Sequence, residues 1–300
     1  MKLHKLLIFI ISLIIFNATS PYIIKLEALK KTINKKKQYL INAGDIHFGA
    51  NNLPGYKHPK LERKKIADIN KKHAQAFFNF TKKFSKKDCL FILEDTYNYQ
   101  GKLKYLKKNL ENTKKINQNH NFSNCMSFIN DHCQKNKISI KNIEFRQGLG
   151  EFMNNKINAK EFLIDFIFII NEIKKYNDGK ILNKYYSQLI KDLYKKSGKL
   201  IKILLNNKNK YFKELTSKIT EKEGLTFLTD YFKLIDARIV HTIFVNKNKK
   251  YIFLCAGYRH IENINPVLTS INYKKTFSKQ THHLVPTNVG SYQKNVMALK

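Results

Sequence analysis

The stretch Tyr251-Ile-Phe-Leu-Cys-Ala256, followed at once by Gly257-Tyr-Arg-His260, decides how the fold is read. A short run that is apolar on both faces and bounded by glycine predicts a strand covered on both sides. The same construction occurs near the other end of the chain. There, residues 38–43 (Q-Y-L-I-N-A) predict a strand that stops at Gly44, and Gly44-Asp-Ile-His47 follows. Between the two, residues 89–93 (C-L-F-I-L) predict a strand ending in Glu94-Asp95, and residues 138–145 predict another.

Helical patterns fill the intervals. Ile66, Ile69, His73, Phe77, Phe80 and Phe84 recur at helical spacing. From Gly150 to about Asn246 the pattern is helical, with breaks near Asn177-Asp178-Gly179, at 206–209 and at Glu223-Gly224. Residues 264–271 predict a short helix and 273–277 an edge strand. Residues 23–37 read as a lysine-rich helical approach, and 97–137 as a surface excursion with some helix. Alternating strands and helices predict an α/β fold with a mostly parallel central sheet flanked by helices. A helical insertion is expected between the two halves of the sheet. The expected organisation is an N-terminal half over 21–149, the insertion over 150–224, a C-terminal half over 225–280 and a loose tail over 281–300.

Residues 1–20 read as an export signal. Lys2 and Lys5 precede the apolar run from Leu6 to Phe16, with small and polar residues after it. The expectation is an exported protein, periplasmic or secreted, or membrane-anchored if the signal is not cleaved. Cys125 and Cys133 lie in a polar stretch and could pair in an oxidising compartment, while Cys89 and Cys255 read as small buried hydrophobes.

The formal net charge is +34 over 300 residues. That excess is almost wholly lysine, and arginine occurs only at 63, 146, 238 and 259. A phosphate-reading surface favours the arginine fork, so the charge predicts weak, salt-sensitive attraction to anionic surfaces rather than specific nucleic-acid binding. With 43% hydrophobic and 12% aromatic residues, the composition is that of a globular chain, not a disordered basic tail.

In open α/β sheets, ligands sit beyond the carboxyl ends of the strands. Both Gly-x-x-His segments and Glu94-Asp95 fall there. His47 and His260 with Glu94 offer two imidazoles and a carboxylate, an open divalent-metal shell. Asp45 and Asp95 are further acidic candidates, and Arg259 a further basic one. On the helix expected over 227–245, the row Phe227, Tyr231, Leu234, Arg238, His241, Val245 is apolar except for Arg238 and His241. A guanidinium on a buried stripe requires a carboxylate or a ligand anion. No glycine-rich phosphate loop, G-x-S-x-G elbow or H-E-x-x-H helix is present in the sequence.

An early G-x-x-H after a strand, a glutamate after another, an arginine on a late helix and a final strand running into G-x-x-H resemble the Tiki/TraB superfamily. That group includes GumN-like proteins and, more distantly, ChaN-like haem-binding lipoproteins and erythromycin esterases. The segment from Asp236 to Tyr273 is the most similar; where the family often has asparagine after the arginine, this chain has Ile239. The resemblance implies a domain split by a helical insertion and a metal-dependent peptidase-like site at His47, Glu94, Arg238 and His260. Three functions are therefore expected in turn. The first is a metal-dependent hydrolase of peptides or small molecules. The second is a binding protein for haem or another planar ligand. The third is an inactive, lysine-rich exported interaction protein.

Overall fold

The computed structural model describes residues 22–46, 85–94 and 125–280, with Gln75, Asn79 and Lys102 besides. The export signal, the rest of the helix expected around Ile66–Phe84 and the C-terminal tail lie outside the described residues. A six-stranded sheet runs β4-β3-β5-β2-β1-β6. Its strands are β1 (Tyr22–Ile33), β2 (Lys36–Ile46), β3 (Cys89–Leu93), β4 (Ser139–Asn142), β5 (Tyr251–Gly257) and β6 (Lys274–Gln280). The helices are α1 (Cys125–Lys135), α2 (Gln147–Met153), α3 (Ala159–Lys174), α4 (Lys180–Asn206), α5 (Phe212–Leu215), α6 (Glu221–Val245) and α7 (Tyr258–Ser270).

The class is α/β, but the sheet is mixed rather than mostly parallel. β4, β3, β5 and β2 run parallel, while β1 is antiparallel to both β2 and β6. The departure comes from residues 23–37, expected as helix and found as the strand β1 and its turn. Ile33 pairs with Lys36, leaving Asn34 and Lys35 as a two-residue hairpin loop with φ of 48° and 64°. Positive φ at both loop positions is the geometry whose twist matches the flanking strands, and asparagine tolerates it. Lysine-rich segments carry little strand propensity, yet eleven residues of β2 supply a template that overrides it.

One sheet face presents Leu29, Leu40, Leu90, Ile92, Ile252 and Leu254 to a core shared with α2–α7. α6 lies at the centre of that layer, with Phe227, Tyr231, Leu234, Ile235 and Ile239 all buried. Phe162 and Phe166 of α3 meet Tyr231 at ring separations of 6.0 and 6.1 Å. The opposite sheet face is buried as well, where Phe91 stacks on Phe253 at 4.7 Å and Tyr39 on Tyr251 at 5.7 Å. α6 begins at the capping box of Thr220 and Glu223 and takes in Gly224, so the break expected at 223–224 falls a few residues earlier.

Cys125 and Cys133 sit on one helix, eight residues and therefore about 12 Å apart, beyond disulfide reach. Cys133 is a free thiol, and burial, with Cys89 close by, pushes it up to about 12. Cys89 and Cys255 are buried thiols, as expected from their apolar runs.

Lys35 holds a backbone conformation that glycine adopts without strain. Lys35→Gly is expected to stabilise the chain by about 1 kcal/mol, and Lys35→Val to destabilise it, in urea titrations.

Candidate functional site

β3, β4 and β5 run parallel, so their carboxyl ends open on one side, and buried Glu94, Glu144, Asp236 and His260 gather there. Glu94 follows β3 directly, and its N–H bonds the Cys255 carbonyl at 3.0 Å, extending the ladder by one step. Its carboxylate is buried. Oε2 accepts the Gly257 N–H at 2.7 Å, while Oε1 takes a short ion pair from Arg146 Nη2. One carboxylate thereby joins the end of β3, the start of α7 and the segment after β4. A carboxylate at a helix N-terminus is also favoured by the helix dipole.

Arg146 occupies the residue before α2. Its Nε bonds both oxygens of fully buried Glu144 at 3.0 and 3.1 Å, and its Nη2 reaches Glu144 Oε2 at 2.5 Å. The guanidinium lies 5.3 Å from the Phe232 ring on α6. Burial opposes the charge of Arg146, but Glu144 and Glu94 outweigh it and hold the guanidinium protonated. Nη1 has no partner among the described residues.

His260 lies in the first turn of α7 and is buried. Its Nδ1 meets Asp236 Oδ1 of α6 at 2.6 Å, and its Nε2 is 3.7 Å from Glu94 Oε1. Asn263, one turn further along α7, donates to Asp236 Oδ2 at 2.9 Å. Burial pulls the His260 ring toward neutrality, but the carboxylates of Glu94 and Asp236 prevail and hold it above its ordinary 6.5. Burial likewise pushes the Asp236 carboxyl up, against the pull of His260. The pair therefore retains a proton. We place it on the ring, which has a carboxylate on either side.

The structure brings two of the expected residues together, Glu94 and His260. His47 and Asp95 lie outside the described residues, as does the side chain of Asp45. The backbone of Asp45 is registered with Gly257, so β2 ends beside the start of α7. Neither glycine makes the sharp turn expected of it. Gly44 lies within β2, paired with Lys25 and Ala256. Gly257 has φ −54° and ψ 139°, angles open to any residue, and β5 passes straight into α7.

Arg238 takes a different carboxylate from those near Glu94. Its Nη2 meets Glu172 at 3.2 Å, its Nη1 the Ile143 carbonyl at 3.4 Å, and its guanidinium lies over Phe145. His241 stacks on Tyr176 at 3.6 Å and bonds Asp178, which also accepts the Tyr186 hydroxyl at 2.7 Å. Arg259 is exposed on the first turn of α7. The residues missed at sequence level are Glu144, Arg146 and Asp236. Arg146 carried a usable signal: it is one of four arginines, and it follows a strand in Glu144-Phe145-Arg146. Asp236 shares α6 with Arg238, but its carboxylate meets His260.

Among the described residues, no three His, Cys, Asp or Glu side chains converge as a metal site. Glu94 Oε1 and His260 Nε2 supply two donors, and the first already bears a guanidinium. Comparison with protein families, with curated proteins and with solved structures finds no match for this chain.

Removing one partner of a buried ion pair strands the other charge. Arg146→Met removes the guanidinium from two buried carboxylates, Glu94 and Glu144, and is expected to cost about 3–5 kcal/mol in chemical denaturation. Arg238→Met frees Glu172, whose side chain is 32% exposed, and should cost about 1 kcal/mol or less. Equal costs would contradict this assignment of the two arginines.

The raised His260 has a defined pH signature. A group whose folded pKa exceeds its unfolded value of 6.5 contributes stability that is complete below 6.5 and is lost as pH rises through the folded pKa. The margin of the wild type over Asp236→Asn should therefore shrink from pH 6.5 upward, and NMR titration should find His260 deprotonating at lower pH in the variant.

Proposed function

We propose that this chain is a hydrolase of the Tiki/TraB type, acting on a peptide or a small-molecule ester or amide at the carboxyl ends of β3, β4 and β5. The observation that carries the reading is the line Asp236–His260–Glu94–Arg146, with His260 Nδ1 anchored at 2.6 Å and its Nε2 turned toward Glu94. A ring whose proton is fixed by a carboxylate on one nitrogen and presented on the other suits proton transfer to a leaving group. Arg146, held protonated beside Glu94 and Glu144, suits the stabilisation of a developing oxyanion. Both Glu94 oxygens already accept, Oε1 from the guanidinium and Oε2 from the Gly257 N–H, which suits a positioning role rather than proton abstraction from water.

That leaves the activation of water to a group beyond the described residues. His47 is the candidate, since the chain leaves β2 beside Gly257. In the metal-dependent form of the proposal, His47, His260 and Glu94 would hold a divalent ion, which would supply an activated water. An imidazole holding an ion through Nε2 would carry no proton there, so the metal-dependent form and proton transfer by His260 are alternatives. The finer fold proposal accompanies this one: residues 150–224 act as a helical insertion dividing the catalytic half-sheets.

The test pairs turnover with metal analysis of the purified protein. Peptide and ester libraries serve as substrates, with His47→Ala, His260→Ala and Glu94→Gln beside the wild type. Turnover should fall at least about a hundredfold in each variant. Loss of bound metal together with turnover marks the metal-dependent form, and loss of turnover alone marks acid–base chemistry. Undiminished turnover in His260→Ala would falsify the proposal. A Soret band on hemin titration, abolished in the His variants, would replace it with the haem-binding reading.

A further inference from the structure

We infer that the outer face of α3 is a docking surface for an anionic lipid membrane. α3 buries Phe162, Leu163, Phe166, Ile169, Ile170 and Ile173 in the core, and its opposite face is apolar as well. Ile164 is 45% exposed, Ile167 44% and Phe168 36%. They stand at positions i, i+3 and i+4, so they form one contiguous patch. Lys160 lies one turn before the patch, and Lys174 and Lys175 end the same stripe, all exposed. Lys102 adds a further cation, with its Nζ 5.7 Å from the Phe168 ring.

No acid on α3 neutralises this face. Asp165 is fully buried and accepts the Lys102 N–H, Glu161 caps the helix, and Glu172 is paired with Arg238. α4 packs beside α3, is rich in lysine with Asp192 as its one acid, and exposes Ile181, Tyr194 and Leu205.

Aliphatic side chains at the centre of a lysine-flanked helix face match the boundary between headgroups and acyl chains. The apolar groups enter the hydrocarbon edge while the flanking ammonium groups meet anionic headgroups. A second copy of the chain fits poorly, because the same lysines would face one another. Nucleic acid would satisfy the lysines but leave Ile164 and Ile167 in water, and α3 offers no arginine. This surface is independent of the Glu94 site and does not rest on the hydrolase proposal.

The full chain carrying Phe168→Trp tests the inference. The natural sequence has no tryptophan, so emission reports from α3 alone, whatever the apolar run from Leu6 to Phe16 contributes. The expected result is a blue shift on vesicles of phosphatidylcholine with phosphatidylserine, and none on phosphatidylcholine alone. Adding Ile164→Ser and Ile167→Ser leaves the charge unchanged and should weaken binding about tenfold or more. Lys174→Gln with Lys175→Gln should weaken it and flatten its salt dependence, an independent readout should the serine variant melt early. Unshifted emission on the anionic vesicles overturns the inference. So does an equal shift with RNA, a shift on concentrating the protein without lipid, or full affinity in both the serine and the glutamine variants.

Discussion

The architecture depends on satisfying one buried carboxylate. Glu94 is buried away from bulk solvent, and the Arg146 guanidinium and the Gly257 N–H are donors to it. Those donors come from segments that the sequence places 52 and 163 residues away. Meeting them requires β3, β4 and β5 to lie side by side in parallel and α7 to start where β5 ends. Arg146 must also be neutralised in its turn, and Glu144 takes most of that role. The buried charges are mutually dependent, which is why loss of one partner costs more than the pair contributes.

The same logic extends through His260 to the helical layer. Asp236 grips the ring, Asn263 grips Asp236, and α6 is thereby locked to α7 by polar contacts across an otherwise apolar interface. Ile261, Ile264 and Leu268 of α7 share the core with Leu234, Ile235 and Ile239 of α6. Apolar packing gives the two helices their affinity, and the Asp–His–Asn chain selects one register for them. A polar network that fixes helix register and also turns a histidine toward a carboxylate serves structure and chemistry with the same atoms.

What the sequence made legible follows from periodicity. Cys89–Leu93 and the Tyr251 strand are short apolar runs ended by polar groups, and they were read almost to the residue. β1 was not, because lysine propensity concealed a hairpin whose only signal is Asn34 in a two-residue turn. At the site, Glu94 and His260 were legible because strand ends announce themselves. Arg146 and Asp236 were not, for a physical reason: their importance lies in the partners they meet. Arg238 shows the converse. Its buried stripe correctly demanded a carboxylate, but a helical stripe names the requirement and not the partner, and Glu172 of α3 meets it. Glycine misled in both Gly-x-x-His segments, since neither Gly44 nor Gly257 uses the conformational freedom that glycine allows.

Charge distribution completes the argument. Glu27, Glu94, Glu144, Asp165, Asp178, Asp230 and Asp236 are all buried among the described residues, while no lysine or arginine is. A chain with 22 acids against 56 basic residues thus commits a substantial part of its negative charge to the interior. The exterior is left more positive than the net charge alone conveys. Each buried acid needs a proton, a cation or several N–H donors. Arg146 and His260 supply them at Glu94, Glu144 and Asp236, while Lys275 reaches Glu27 at 2.9 Å and Lys233 reaches Asp230 at 3.0 Å. Lysine is long, strongly hydrated and costly to desolvate, so it stays outside. Arg146 stands where one cation meets two buried carboxylates, and the lysine-rich exterior must find its counter-charge beyond the molecule.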